Sequence, residues 1–238
     1  MSTFTTPNPI TATLTTAGAR VRIAASERTD TVVRVEPVNS ANAKDVKVAE
    51  KTKVDFSDGV LAVKTTKSGD QNGSVAITIE LPVGSRLILH TAWTEVRADG
   101  VLGDCEVNIG SGQVQLDRVA TLRGSLGTGG LEIGHARSDV DLGGSSGSFD
   151  IGRADGSVTA KAAACPIRIG RVTRGQVELV NSSGGIEIGV SDDTAAEVDA
   201  KSTKGLVRSS LTAPDSSGNS LKVYARTRLD DIVIRPAA

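Results

Sequence analysis

Aromatic side chains are nearly missing from this sequence: Phe4, Phe56, Trp93, Phe149 and Tyr224 are the whole complement in 238 residues. An interior built on rings is excluded, so Val, Ile, Leu and Ala must fill it. Cysteine occurs twice, at Cys105 and Cys165, which excludes a disulfide-stapled scaffold and agrees with a reducing compartment. Neither sign of charge dominates: 27 Lys and Arg stand against 28 Asp and Glu, a formal net charge of −1. That balance argues against a dedicated nucleic-acid binder, which concentrates cations for phosphate neutralisation. Nothing approaches 18 consecutive apolar residues, so no membrane span is expected. The opening MSTFTTPNPITATLTT lacks a basic stretch followed by an apolar one, so no signal peptide is read there. The expectation is a soluble, cytoplasmic protein.

Glycine is what the sequence has in quantity, 26 residues, which suits many tight turns and opposes long helices. Aligning the glycine-rich stretches exposes a repeat. One strand type recurs as WTEVRA, GQVQL, GGLEIG, GSFDIG, CPIRIG, GGIEIG, KGLVRS and DDIVIR, centred on Val96, Val114, Leu131, Phe149, Ile167, Ile186, Leu206 and Ile232. The spacings between these centres are 18, 17, 18, 18, 19, 20 and 26. A second ladder lies between them, centred on Val107, Leu122, Val140, Val158, Val177, Val198 and Val223. Two short strands of period-2 alternation per repeat, separated by Gly, Ser and Asp, predict an all-β fold: a parallel β-solenoid with two-sided coils of about 18 residues.

Residues 1–85 also read as strands (ITATLTT, RVRIAAS, TVVRVEP, GVLAVKT, SVAITIELP) but without the tight period. They are expected to form an irregular β N-terminal cap or early irregular coils, within a single domain spanning 1–238 whose regular coils occupy 86–238. AKDVKVAEKT (43–52) fits a turn or two of helix, while the overlapping KVAEKTKVDF fits a strand equally well. SGDQNG (68–73) reads as a turn.

Several stretches resemble an actinobacterial family of β-strand-repeat proteins that goes under the name "putative adhesin", a domain of unknown function. IELPVGSRLILHTAWTEVRADGVLGD (79–104) carries the likeness most clearly, joined by ASERTDTVVRVEP (25–37), GVSDDTAAEVDAKSTKGLVRSSL (189–211) and VYARTRLDDIVIR (223–235). The resemblance implies a right-handed parallel β-helix-like solenoid and brings no catalytic residues with it.

Candidate chemistry is sparse. GGSSG (143–147) spells the G-x-S-x-G of a hydrolase nucleophile elbow, but an elbow needs a helix after the serine, and here the strand SFDIG follows Ser145. It reads as a turn. His90 and His135 lack the partners at short spacing that a metal site needs. Asp192-Asp193 and Asp230-Asp231 read as solvated turn pairs rather than calcium ligands. Gly124–Gly130 lacks the Lys-Ser/Thr ending of a phosphate loop. Outward positions of the first ladder are Arg97, Gln115, Glu132, Asp150, Arg168, Glu187, Val207 and Val233. Glu132 beside Asp150 could form a catalytic carboxylate pair, but with no aromatic neighbours, and with Arg168 next in line, a charge-mixed exposed sheet is the reading.

No catalytic, cofactor-binding or metal-binding residue is therefore assigned, and no cofactor is expected. The sequence points to a non-enzymatic binding or scaffold protein using the outer faces of a solenoid, with an unknown protein partner or self-association. The alternative is a self-assembling structural protein of bactofilin-like architecture, and a carbohydrate-active enzyme ranks last. Both cysteines are expected to be free thiols. The closing strand around Val233 is apolar on both faces, so one face is expected to be covered by the 211–219 insert or by a second subunit.

Overall fold

The computed structural model describes residues 1–65, 73–211 and 218–237. Most of the expected 68–73 turn and of the 211–219 insert lies outside those residues. The backbone gathers into two compact units, Met1–Val119 and Ala120–Ala238. Among the described residues no helix is long and apolar enough to cross a membrane.

The first unit contains β1 (Ser2–Thr5), β2 (Thr11–Ala17), β3 (Ala19–Ser26), β4 (Asp30–Pro37), α1 (Ala43–Lys51), β5 (Lys53–Ser57), β6 (Val60–Lys64), β7 (Val75–Pro82), β8 (Arg86–Ala92), β9 (Thr94–Val101), β10 (Cys105–Ile109) and β11 (Gly112–Val119). One sheet runs β1-β4-β7-β3-β9-β11 and the other β5-β6-β2-β8-β10. The pair β2–β3 is held on both sides by parallel partners. Leu14 stands between Val63 of β6 and Leu89 of β8, and Val21 between Ile77 of β7 and Val96 of β9. Beyond β6 and β7 the pairing turns antiparallel, through β5 on one sheet and β4 and β1 on the other. The region expected to be irregular thus holds parallel coils plus an antiparallel end.

The ambiguous AKDVKVAEKT is helix over Ala43–Lys51, and the strand follows it. The Asn42 side chain accepts from the Lys44 amide at 2.9 Å as an N-cap, and Val48 is buried. Asp45, also buried, takes the main-chain N–H groups of Asn39 and Ser74 at 3.0 and 2.9 Å and so ties the helix to both neighbouring segments.

The second unit contains β12 (Leu122–Leu126), β13 (Gly130–Ala136), β14 (Val140–Ser146), β15 (Ser148–Ala154), β16 (Val158–Ala164), β17 (Ile167–Val172), β18 (Gly175–Val180), β19 (Ile186–Val190), β20 (Thr194–Ser202), β21 (Val207–Ser209), β22 (Asn219–Thr227) and β23 (Ile232–Pro236). Successive strands alternate between two sheets, ordered β13-β15-β17-β19-β23-β21 and β12-β14-β16-β18-β22-β20. Every pairing between these strands is parallel, so the long parallel sheets are solenoid-like. Leu131, Phe149, Ile167, Ile186 and Ile232 pair in one buried column, and Leu122, Val140, Val158, Val177 and Val223 in the other. Each such side chain contributes about 1.5–3 kcal/mol by leaving water. In the first unit Val114 pairs with Val96 and Val107 with Leu89, again as the alternation requires.

Two expectations are corrected here. The closing strand β23 is not an edge: it lies between β19 and β21, with Val233 opposite Glu187 on one side and Arg208 on the other. The chain overshoots through β20 and β21, then returns one coil inward, which is why the spacing to Ile232 stretches to 26. Both edges of that strand are paired within the sheet, while the outward Val233 is half-buried, and the insert expected to cover its face lies largely outside the described residues. Second, the register at β21 is set by Val207 opposite Ile232, one residue beyond Leu206, which is 58% exposed.

Candidate functional site

In the second unit the strands of the first sheet share an unusual step. In β13, β15 and β17 the buried residues are two apart at first (131 and 133, 149 and 151, 167 and 169) and then three apart (136, 154, 172). Two residues face outward at that step, Gly134-His135, Gly152-Arg153 and Gly170-Arg171. Glycine is required because the coils approach closely there. A Cβ on Gly152 would stand 2.6 Å from the Gly134 carbonyl oxygen, one on Gly170 2.7 Å from that of Gly152, and one on Gly189 1.9 Å from that of Gly170. A row without side chains consequently crosses the outer face of the sheet.

That row is the floor of a groove with a volume of about 340 Å³, lined by Asp150, Gly152, Arg153, Arg168, Gly170, Arg171 and Arg235. One wall is Asp150 and Arg168, with Glu187 continuing that row at the margin, and the other is Arg153–Arg171, each in direct register. Arg235 comes from β23, where it pairs with Gly189 in the glycine row. Carboxylates hold the guanidinium groups in place. Arg168 Nη1 donates to Asp150 Oδ2 at 3.2 Å, and its Nε lies 3.8 Å from Glu187 Oε2. Arg235 donates through Nε and Nη2 to Glu187 Oε1 at 2.9 and 2.6 Å.

Beside the groove Asp155 collects a polar cluster. Its Oδ1 accepts from Arg153 Nε at 2.8 Å and from Thr173 Oγ1 at 3.4 Å, and its Oδ2 lies 2.7 Å from His135 Nε2. Burial pushes the Asp155 carboxyl up, but the hydrogen bonds from Arg153 and His135 outweigh it and hold the group below the usual carboxylate range.

The residues weighed in the sequence are scattered. Ser145 lies in β14 on the other sheet from His135, and the G-x-S-x-G stretch is strand as far as Ser146. The corner itself is Gly147, with φ +137°, and a strand follows it, so no elbow forms. Glu132 and Asp150 are stacked neighbours as expected, with Arg168 next in the row. His90 is an exposed residue of β8 between Thr15 and Asn108. The acidic pairs are corner staples rather than merely solvated: Asp230 Oδ2 accepts from the Gly184 amide at 2.7 Å, Asp231 Oδ1 from Leu206 at 2.8 Å, and Asp193 Oδ2 from Asn219 at 3.2 Å. Among the described residues no three His, Cys, Asp or Glu side chains gather as metal ligands. Both cysteines are buried free thiols.

Of the groove only Asp150, Arg168 and Glu187 were singled out in the sequence; Arg153, Arg171 and Arg235 were missed. The recurrence of Ile-Gly-Arg at 151–153 and 169–171, 18 residues apart, is the signal that points to them.

A family model described as Toastrack DUF4097 matches residues 11–228, and the chain belongs to that family. Among solved structures it is similar to a "putative adhesin" from Bacteroides fragilis, at 13% identity and TM-score 0.54, over 98% of this chain and 95% of that one. It is also similar to a "putative adhesin" from Parabacteroides merdae, at 12% identity and TM-score 0.41, over 97% and 94% of the two chains. No curated protein is close enough in sequence to count as a relative.

Proposed function

We propose that this Toastrack chain is a non-enzymatic binding or scaffold protein that works through the outer face of its parallel sheets. The observation behind this is the groove. Its charged side chains are held by one another on a rigid sheet, around a floor of bare backbone, and they converge on a space rather than on a nucleophile and its base. The name given to the Bacteroides fragilis protein, which shares the fold, fits a surface that holds a ligand without transforming it. The test is retention. Immobilised wild-type chain and an Arg153→Gln/Arg168→Gln variant are incubated with lysate of the native organism. A partner held by the first and lost by the second supports the reading; steady turnover of a glycoside or ester substrate by purified protein would overturn it.

One observation favours a second reading, self-assembly. Among the described residues, strands β20 and β21 each have a neighbour on one side only and so end their sheets. Sedimentation across a concentration series, with electron microscopy of the concentrated sample, would show filaments or a concentration-dependent mass if these edges pair with another chain.

A further inference from the structure

We propose that the arginine-lined groove of the second unit binds phosphate groups, so that the ligand class of the protein is a multiply charged oxyanion of the phosphate type. The inference rests on the binding reading above and adds the chemistry of what is bound.

Four guanidinium groups and one carboxylate line the space, with Glu187 and Asp155 bonded at its margins. Arg153 and Arg171 are directly paired neighbours on adjacent strands. Like charges in that position repel, a cost that Asp155 beside Arg153 offsets in part. The groove is not a by-product of long side chains, because the glycine row keeps its floor bare where any Cβ would collide with main chain.

The carboxylates already present narrow the ligand. Asp150 and Glu187 engage Arg168 and Arg235 as a carboxylate ligand would, so a monoanionic carboxylate offers the groove nothing it lacks. A phosphate carries about −1.5 to −2 charges and three acceptor oxygens. It can meet donors from both walls and from Arg235 at the end, which one planar carboxylate cannot do. Because the internal ion pairs keep the guanidinium forks oriented before a ligand arrives, little ordering remains to be done on binding. The phosphate can come from a small soluble compound or from a phosphate-bearing polymer.

Calorimetric titration of the whole chain at low salt separates these sources, using inorganic pyrophosphate, linear polyphosphate and acetate as probes. Pyrophosphate binding that weakens as salt is added, with acetate at least tenfold weaker, supports the groove and a small ligand. Binding of polyphosphate with none of pyrophosphate supports the groove and a polymer. Arg153→Gln and Arg168→Gln each change a half-exposed side chain, so both should fold, and each should raise the dissociation constant at least tenfold. Arg118→Gln, in the first unit, should leave it unchanged. No binding of either phosphate probe, equal binding of acetate, or an equal loss in Arg118→Gln overturns the inference. A partner still captured from lysate through the groove would then leave the broader binding reading standing.

Discussion

The two units use the same device and finish it differently. In each, a strand pair near a chain terminus is inserted between two parallel neighbours: β2–β3 between β6–β7 and β8–β9, and β22–β23 between β18–β19 and β20–β21. Neither pair is left as an edge. The first unit then closes its end. Its outermost strands, β1 and β5, pair antiparallel, and Phe4 of one stacks on Phe56 of the other with centroids 5.0 Å apart. Among the described residues the second unit ends on parallel strands with no such staple, and β21 is only three residues long and exposed throughout. The contrast shows two ways of ending a parallel sheet: the first unit reverses strand direction and adds aromatic contact, while the second stops on a short, exposed β21 in one sheet and a nine-residue β20 in the other.

The largest expected effect tests where the second unit's stability lies. Phe149 is 1% exposed, and a Cβ on Gly144 would come within 3.0 Å of its Cζ. Phe149→Ala leaves a cavity in the middle of a column and should cost about 3–5 kcal/mol in urea unfolding. A loss under about 1 kcal/mol would mean that the second unit is not held by its central column.

The end staples come next. Phe56→Ala removes the stacked pair and part of its burial, and should destabilise the first unit by about 1–2 kcal/mol while baring the β5 edge to association. Leu206→Ser at the open end of the second unit should change stability by no more than about 0.5 kcal/mol, since that side chain is already in water. Equal effects in the two melts would erase the distinction between a closed and an open end.

The same contrast decides what was legible in the sequence. Within the regular coils the registers follow from alternation and the 18-residue period, down to pairs such as Phe149 with Ile167 and Val158 with Val177. Strand order near the ends does not. Ile186 sits beside Ile232, 46 residues on, because alternation says which face a residue takes and nothing about which parallel neighbour it meets. The one-residue slip at Leu206 has the same origin: β21 buries neither face, so no apolar pattern fixes it. The helix was undecidable because its strongest signals, the Asn42 cap and the buried Asp45 bonded to Asn39 and Ser74, are contacts rather than periodicity. The groove escaped because its cations come from positions 153, 168, 171 and 235, which only the stacking of coils brings together.

A smaller effect should appear in acid, once in each unit. The hydrogen bond from Arg28 holds the Asp30 carboxyl of the first unit below its ordinary range, as Arg153 and His135 do for Asp155 in the second. A carboxyl lowered in the folded state adds stability that is complete above its unfolded value near 4 and is lost as pH falls through its folded value. Urea midpoints should therefore hold flat from pH 7 to about 5 and decline below about 4. Asp30→Asn and Asp155→Asn should each lower the midpoint at pH 7 and make the acid decline shallower. Stability rising below pH 4 would mean that these bonds are not those that hold the two clusters together.

The last test reads accessibility rather than stability, and it reads the two units separately because each holds one cysteine. Burial pushes the Cys105 thiol up to about 12 and the Cys165 thiol up to about 11. Near pH 8 both should be unreactive in the folded chain, since burial holds each thiol far above that pH. Position separates them. Cys105 lies within β10, paired with Leu87, so reaching its sulfur requires opening a strand. Cys165 sits at the corner between β16 and β17, where its carbonyl is held by Asn181 Nδ2 at 2.8 Å, so a local opening of that corner is enough. Alkylation followed by mass spectrometry should label Cys165 before Cys105, and Asn181→Ala should speed Cys165 without touching Cys105. Equal rates at the two sites would mean that both thiols are reached only when their units open as a whole, and the corner would then be as firm as the strand.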